Sequence, residues 1–171
     1  MWVGLREAPI VAPAAKAVRI TLHGVEHIIP GWHMQEIKYV KQTAEVREAL
    51  RVEFNTVVRK NFMKDLAENH VATLRDAGMS DGDIAMMKEG RVPSGYQVHH
   101  KLPLDGGGTN DVDNLLLMKN DPDHQLITNY QSEQTQGMSS GETRKLNWPM
   151  PDPQVRVWPK TPGGGAHPIP R

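Results

Sequence analysis

The apolar positions between residues 34 and 69 recur at intervals of mostly three and four, and this stretch contains no proline or glycine. That spacing places them on one face of an amphipathic helix. We therefore predict one long helix, or two abutting helices, over this stretch. The apolar positions concerned are Ile37, Val40, Ala44, Leu50, Phe54, Val57, Val58, Phe62 and Leu66.

Shorter helical segments are predicted to follow. The helical pattern continues through Ala77, and Gly78 suits a helix C-terminus. Ser80, with Asp83 three residues later, resembles a capping box that opens a helix running to about residue 89. Residues 34–94 are therefore expected to form a helical support region.

Residues 1–33 have a different pattern. Proline and alanine are frequent before Val18, as in a leader or linker. Val18, Ile20 and Leu22 then alternate with other residues, as in one short strand. The segment has neither the apolar run of a signal peptide nor the length of a membrane span, so neither is expected.

A new unit begins at Gly95, where glycine and proline interrupt the helical pattern. The segment 96–102 is expected to be a strand. His99 and His100 are neighbours in it, so their imidazoles should point to opposite sides. A site that uses both histidines must therefore lie at the edge or the end of the strand.

The next stretch predicts a second strand and then a helix. A glycine-rich loop at residues 105–110 precedes Asn114 and the apolar run at residues 115–118. An Asp-Pro pair at residues 121–122 is typical of a helix start and places His124 in the first helical turn. The order is therefore a hairpin followed by a helix.

Prolines are frequent from Trp148 onward, so residues 148–171 are expected to be a mostly irregular tail with one short strand at residues 155–158. Trp148 and Trp158 are expected to pack onto the domain. The predicted fold class is α+β, with a helical N-terminal half, the hairpin and helix within residues 95–147, and this tail.

Composition limits the chemistry that the chain can use. The 171 residues include 20 Lys and Arg, 20 Asp and Glu, and no cysteine. Because the charge is balanced, any surface that binds nucleic acid must be local. The lack of cysteine excludes a disulfide framework and a four-cysteine zinc site, and leaves His, Asp, Glu and Asn as the available metal ligands.

Basic residues also recur along the long predicted helix. Acidic residues lie among them, so we interpret this stretch as a solvated helix face rather than as a track for phosphates. The basic positions are Lys41, Arg47, Arg51, Arg59, Lys60 and Lys64, and the acidic ones are Glu45, Glu48, Glu53 and Asp65.

The ordered combination of His99-His100, a glycine-rich loop, Asn114-Leu115 and His124 resembles the HNH, or ββα-metal, nuclease family. The form His-His-Lys-x-Pro-Leu, followed by Gly-Gly and Asn-Leu, is most similar to the DNase domains of colicins, pyocins and type VI secretion polymorphic toxins. The resemblance extends over roughly residues 96–131. It implies a ββα-metal motif within an HNH nuclease core at residues 95–147.

Carried over residue by residue, the resemblance implies that His99 and His124 bind one divalent metal ion. It implies that His100 is the general base and that Asn114 braces the loop and orients this base. Colicin nucleases carry a further histidine one helical turn later, where this chain has Thr128. Two protein ligands leave several positions for water and phosphate oxygens, which favours Mg²⁺, with Mn²⁺, Ni²⁺ or Zn²⁺ as alternatives.

These residue types suit phosphodiester hydrolysis. The reaction needs a base that takes a proton from water and a cation that stabilises negative charge. Neutral imidazole can act as the base or as a metal ligand near pH 7. Lys101 and Lys119 flank the motif and are candidates for phosphate contacts.

The expected function is therefore that of a metal-dependent endonuclease acting on DNA, as the toxic C-terminal domain of an antibacterial effector. The resemblance implies a cognate immunity protein, and delivery by secretion machinery as part of a larger parent protein into the cytoplasm of a target bacterium. One alternative is a phage or mobile-element HNH endonuclease. Another is a non-catalytic nucleic-acid-binding or adaptor module that is stabilised by a metal.

Overall fold

The computed structural model describes residues 16–170, which form a mixed α+β fold with three small sheets and five α-helices. Residues 1–15, the first part of the expected leader, and Arg171 lie outside the described residues. None of the helices within residues 16–170 combines the length and the apolar character that a membrane span requires.

The first sheet confirms the predicted N-terminal strand and adds to it. Strand β1 (Ala17–Leu22) pairs antiparallel with β2 (Val25–Pro30), and β8 (His167–Pro168) pairs with the other edge of β2. The alternating apolar residues of β1 are buried, as period-two burial of one strand face requires.

The second sheet shows that the prediction of a helical N-terminal half is wrong. Strand β3 (His33–Val40) occupies the start of the stretch expected to be helical, and it pairs antiparallel with β6 (Thr143–Met150). Ile37 and Val40 are three residues apart, a spacing that also occurs by chance in a strand. Pairing with a segment near the other end of the chain decides between the two states, and a local pattern does not contain that information.

Helices do occupy the rest of the predicted support region. Ser80 and Asp83 exchange the two hydrogen bonds of a capping box, and Gly78 has a φ of +90° after the preceding helix, so both predicted helix boundaries are confirmed. The elements are α1 (Ala44–Glu53), one turn of π-helix called the π-turn (Phe54–Val58), α2 (Arg59–Asn69), α3 (Val71–Asp76) and α4 (Asp81–Lys88).

The third sheet contains the predicted hairpin. Strand β4 (Tyr96–His100) pairs antiparallel with β5 (Leu115–Lys119), and β7 (Val157–Trp158) adds in parallel to the other edge of β5. A turn at Asn120–His124 then leads into α5 (Gln125–Gln134). The predicted order of strand, loop, strand and helix is therefore present.

Strand β5 lies at the centre of the molecule, between two apolar clusters. Leu115 and Leu117 pack with the helices α2, α3 and α4, while Leu116 and Met118 pack with β1 and α5. All four side chains are at most 1% exposed. A strand that is covered on both faces needs a continuous apolar sequence rather than an alternating one, which explains the run at residues 115–118.

The C-terminal region is built into the domain. Strand β6 crosses residue 148, where the irregular tail was expected to begin, and β7 lies within the predicted strand at residues 155–158. Trp148 and Trp158 are buried, which confirms that both pack onto the domain. Trp158 makes an edge contact with Trp32, with ring centroids 5.7 Å apart.

The connection between β4 and β5 is anchored by Asp105. Its carboxylate accepts hydrogen bonds from the Tyr39 hydroxyl at 2.6 Å, the Lys41 ammonium at 3.0 Å and the Arg47 guanidinium at 2.8 Å. Partial burial alone would raise the pKa of Asp105, but these hydrogen bonds outweigh it and hold the pKa below its ordinary value. The loop is therefore tied to the end of β3 and to α1.

Gly106 → Ala is expected to lower the free energy of unfolding by about 1–3 kcal/mol. A Cβ at this position would overlap the ring of Tyr39, which is itself buried and bonded to Asp105. The control is Gly82 → Ala inside α4, where the nearest atom lies at 3.7 Å. That variant should be unchanged or more stable by up to about 1 kcal/mol. Chemical denaturation measures both, and a Gly106 → Ala protein as stable as the parent would contradict the packing described here.

Candidate functional site

A cavity of about 280 Å³ lies beside the C-terminal end of β4, between α1 and α5. It brings together three of the residues that the sequence singled out, His99, His100 and His124. Further polar lining comes from Gln97, Thr128, Arg51 and Gln131. The cavity is therefore assembled from the hairpin, the following helix and a helix that is distant in sequence.

The two adjacent histidines of β4 point to different neighbours, as their parity in the strand requires. The His100 ring lies against Phe54, with centroids 4.6 Å apart, and the His99 ring lies edge-on to His124 at 5.2 Å. Both line the same cavity because they occupy the last two positions of β4. This is the placement at a strand end that a joint site was expected to need.

The tautomer of His100 follows from its hydrogen bonds. Its Nε2 atom lies 3.0 Å from Oδ1 of Asn110. The Asn110 nitrogen donates to the Leu50 carbonyl at 3.0 Å and to the Glu53 carboxylate at 3.2 Å, two groups that can only accept, which fixes the orientation of the amide. Because the amide oxygen also only accepts, Nε2 of His100 carries the hydrogen and Nδ1 keeps a lone pair.

Asn114 braces the loop through its whole amide group. Oδ1 accepts from the Leu102 amide at 2.9 Å, and Nδ2 donates to the carbonyls of Leu102 at 2.9 Å and Thr109 at 2.8 Å. The residue that orients His100 is Asn110 instead, which the sequence did not single out. Its position in the glycine-rich loop was the only signal, and the loop path that brings it to the imidazole is set by tertiary contacts.

The three histidines of the cavity are mainly neutral at pH 7. Burial lowers the pKa of His99 to about 3, with further lowering by His124 and His100. Burial also lowers the pKa of His100, against the opposing effect of its bond to Asn110, and the pKa of His124. Neutral imidazole is the form that can accept a proton or bind a cation.

His99 and His124 are the candidate ligands for a divalent cation. Nε2 of His99 is buried without a hydrogen-bond partner, which is costly for a polar atom unless something else binds it. Nδ1 of His124 lies 2.7 Å from the Gln97 amide nitrogen and 3.4 Å from the Thr128 hydroxyl. The orphaned nitrogen of His99 is chemically suited to bind a cation, and a second neutral imidazole lies beside it.

The protein offers this cation a small ligand set. Among residues 16–170, no group of three or more His, Cys, Asp or Glu side chains is placed to hold a metal ion. The Thr128 hydroxyl lies one helical turn after His124, at the position where a further histidine would complete such a group. The two imidazoles therefore suit a cation whose remaining ligands are water or phosphate oxygens.

The two lysines named as candidates for phosphate contacts lie outside the cavity lining. Lys101 is buried, and its ammonium donates to the Pro153 carbonyl at 3.0 Å. Burial, together with nearby Arg156, lowers the pKa of Lys101. Lys119 is exposed and pairs with Tyr96, at the opposite end of β4 from His100.

Asp123 fixes the start of α5, and with it the position of His124. Its carboxylate is 1% exposed and accepts from the Trp158 indole at 2.9 Å and from the Ala166 amide at 2.7 Å. Both donors belong to the C-terminal segment. That segment therefore supports the site, although it contributes no residue to the cavity lining.

Comparison with known proteins finds one similar sequence of undetermined activity. The uncharacterized protein YhhZ of Escherichia coli (strain K12) is 40% identical over 134 residues, which is 78% of this chain and 33% of YhhZ. The chain therefore spans about a third of the length of this relative. No protein-family model and no solved structure matches the chain.

The hydrogen bond from Asn110 predicts the tautomer of His100 in solution. Long-range ¹H–¹⁵N NMR spectra of the imidazoles should show His100 with its hydrogen on Nε2, and Asn110 → Ala should populate the Nδ1–H form because the acceptor is lost. Asn69 → Ala, which removes an exposed amide bonded to Asp65, should leave the His100 signals unchanged. A parent protein with the hydrogen on Nδ1 would show that the Asn110 contact does not hold this ring.

Proposed function

We propose that the protein is a metal-dependent endonuclease of the HNH, or ββα-metal, type that hydrolyses phosphodiester bonds in DNA. One observation carries the proposal. The neutral His100 imidazole, with Nδ1 free to take a proton, lines the same cavity as the orphaned His99 nitrogen and His124. A proton acceptor beside a cation site is what hydrolysis of a phosphodiester requires.

The order of the elements supports the same assignment. The two candidate ligands come from the end of β4 and from the turn before α5, and the candidate base is the neighbour of the first ligand. Asn114 bonds the backbone before the glycine-rich loop, at Leu102, and within it, at Thr109, which fits the bracing role that the HNH resemblance implies. The placement of His99, His100 and His124 supports the roles that the resemblance implies for them, whereas Asn110 takes the orienting role expected of Asn114.

His100 is the general base in this proposal. Nδ1 takes a proton from the attacking water, while Nε2–H remains bonded to Asn110 and fixes the ring. Contact with Phe54 limits rotation of the imidazole and keeps bulk water from one side of it. Burial lowers the pKa of His100, which favours the neutral ring that can accept a proton near pH 7.

His99 and His124 would hold the divalent cation, with Mg²⁺ the best match and Mn²⁺, Ni²⁺ or Zn²⁺ as alternatives. When bound, such a cation stabilises negative charge on the phosphate and on the leaving oxygen. His99 is fixed by burial, and His124 is oriented by Gln97 and by the helix start that Asp123 anchors. Thr128 leaves room on the helix side of the cavity for water.

We further propose that the domain is the toxic part of an antibacterial effector and that a cognate immunity protein restrains it in the producing cell. The resemblance to colicin-type and type VI secretion DNase domains supports this role. The similarity to one third of the YhhZ sequence supports a domain that forms part of a longer protein. The target is then DNA in the cytoplasm of a competing bacterium.

Substitution of the three histidines should separate base from ligands. His100 → Ala is expected to lower plasmid cleavage by a factor of roughly 10² to 10⁴, the usual contribution of general acid–base catalysis, while Mn²⁺ binding by calorimetry is retained. His99 → Ala and His124 → Ala should lose cleavage together with Mn²⁺ affinity, because a single imidazole then remains.

The control for these variants is His167 → Ala, which removes an exposed imidazole outside the cavity. It should cleave plasmid and bind Mn²⁺ as the parent does. Loss of Mn²⁺ by His100 → Ala with retention by His99 → Ala would reverse the two roles. Normal cleavage by all three cavity variants would place the active site elsewhere.

Expression in cells without an inhibitor should reveal toxicity. The parent chain is expected to fragment chromosomal DNA and arrest growth, whereas His100 → Ala should accumulate without harm. Co-expression of a neighbouring small gene that encodes the immunity protein should restore growth, since such complexes reach very high affinity. Accumulation of the active parent in unprotected cells with intact DNA would rule out the toxin role and favour a phage or mobile-element nuclease.

A further inference from the structure

A second cavity, of about 320 Å³, adjoins the histidine cavity. Three residues line both cavities: Arg51, Gln97 and Val98. Arg59 lines the second cavity beyond Arg51. These two adjoining cavities beside β4 are together called the groove.

The π-turn between α1 and α2 brings both arginines to the same place. In a regular α-helix, eight residues turn the chain by about 800°, so Arg59 would lie about 80° away from Arg51 around the helix. The π-turn absorbs one additional residue and leaves the two about 20° apart. The hydrogen bond from the Arg59 amide to the Phe54 carbonyl is the five-residue bond that marks this turn.

Phe54 connects the two arginines to the candidate base. The guanidinium carbons of Arg51 and Arg59 lie 5.7 and 5.6 Å from the centroid of the Phe54 ring. The His100 imidazole lies against the same ring, at 4.6 Å. Both guanidinium groups therefore contact the same aromatic ring as His100. Neither has an ion-pair partner among the described residues.

The groove has a lining without carboxylates. None of the described residues that line either cavity is Asp or Glu. Three other cavities among residues 16–170 each have at least one aspartate in their lining. A groove with two unpaired guanidinium groups and no carboxylate attracts anions, and arginine is well matched to phosphate because it can donate two parallel hydrogen bonds.

Gln131 supplies an unused donor at the far end of the groove. It lies on the same face of α5 as His124 and Thr128, and the three follow one another at intervals of four and three residues. The side chain is 8% exposed, and its Nε2 atom has no hydrogen-bond partner. A buried amide nitrogen that lines a cavity without an acceptor is a site for a ligand oxygen.

We propose that the phosphate backbone of the DNA lies in this groove, with Arg51 and Arg59 binding neighbouring phosphates and the Gln131 amide donating to a phosphate oxygen beside the histidines. This inference rests on the proposed nuclease function and extends it to residues outside the hairpin and helix. Arg51 and Arg59 contribute charge and position, and Gln131 contributes a neutral donor. Of the basic residues of α1 and α2, Arg51 and Arg59 thus line the groove, while Arg47 is bonded to Asp105.

The salt dependence of DNA binding tests the two arginines. Binding of a short fluorescein-labelled duplex in EDTA is measured by anisotropy over a series of KCl concentrations. Arg51 → Met and Arg59 → Met should each make the slope of log affinity against log salt shallower by about 0.9, the value for one phosphate contact on duplex DNA. The control Arg91 → Met removes the same charge from an exposed position paired with Glu89 and should leave the slope unchanged.

Because Gln131 is uncharged, its contribution should appear in the affinity for DNA and not in the salt dependence of that affinity. Gln131 → Met should weaken binding about threefold to tenfold at every salt concentration and leave the slope unchanged, because a neutral hydrogen bond releases no counterion. Gln131 → Glu should weaken binding further, since a carboxylate faces the phosphate. Gln125 → Glu introduces the same charge on an exposed position of α5 and should have little effect.

Arg51 → Lys and Arg59 → Lys guard against a folding defect, because they keep the charge and should keep the parent slope. Three results would each overturn the proposal that DNA binds in the groove. They are unchanged slopes in folded Arg51 → Met and Arg59 → Met proteins, an equal change of slope in Arg91 → Met, and no DNA binding by the unsubstituted protein. Plasmid cleavage with Mg²⁺ on the same samples separates the two proposals. If the unsubstituted protein binds DNA as expected but does not cleave it with any metal ion, the proposed nuclease activity is wrong. If it cleaves DNA but the arginine variants keep the same salt slope, only the proposed DNA groove is wrong.

Discussion

The geometry of the cavity depends on the three hydrogen bonds that Asp105 accepts from Tyr39, Lys41 and Arg47. The connection between β4 and β5 contains three successive glycines and has little intrinsic preference for one path. The carboxylate supplies that preference, because hydrogen bonds to charged groups contribute about 1.5–3 kcal/mol each. From this anchor the loop runs to Asn110, so the orientation of the His100 ring follows from a contact several residues away.

Features that depend on a few neighbouring residues could be predicted from the sequence. The capping box at Ser80, the opposite orientations of His99 and His100, and the buried strand at residues 115–118 each follow from local spacing. Strand β3 could not be predicted, because its state is decided by pairing with β6 near the other end of the chain. The spacing of three between Ile37 and Val40 fits a helix, so the helical pattern was extended into this strand by mistake.

Some residues of the candidate site could likewise be identified from the sequence, and others could not. His99, His100 and His124 could be found because all three lie within one short segment with a recognisable order. Arg51 and Gln131 could not, since packing of α1 and α5 against the hairpin brings them to the cavity. The angular positions of Arg51 and Arg59 around the helix also depend on the π-turn, for which the sequence gives no local signal.

Several carboxylates of this protein accept internal hydrogen bonds, and this affects where its charge is exposed. Glu53 accepts from Asn110, Asp105 binds two cations and a hydroxyl, and Asp123 holds the C-terminal segment to the start of α5. Each of these acidic groups lies close in sequence to a residue of the groove, yet each is engaged by internal donors. None of these three acidic groups lines the groove. A neutral chain can in this way present a locally positive surface, because affinity for a phosphate backbone depends on the charges that reach it and not on their sum.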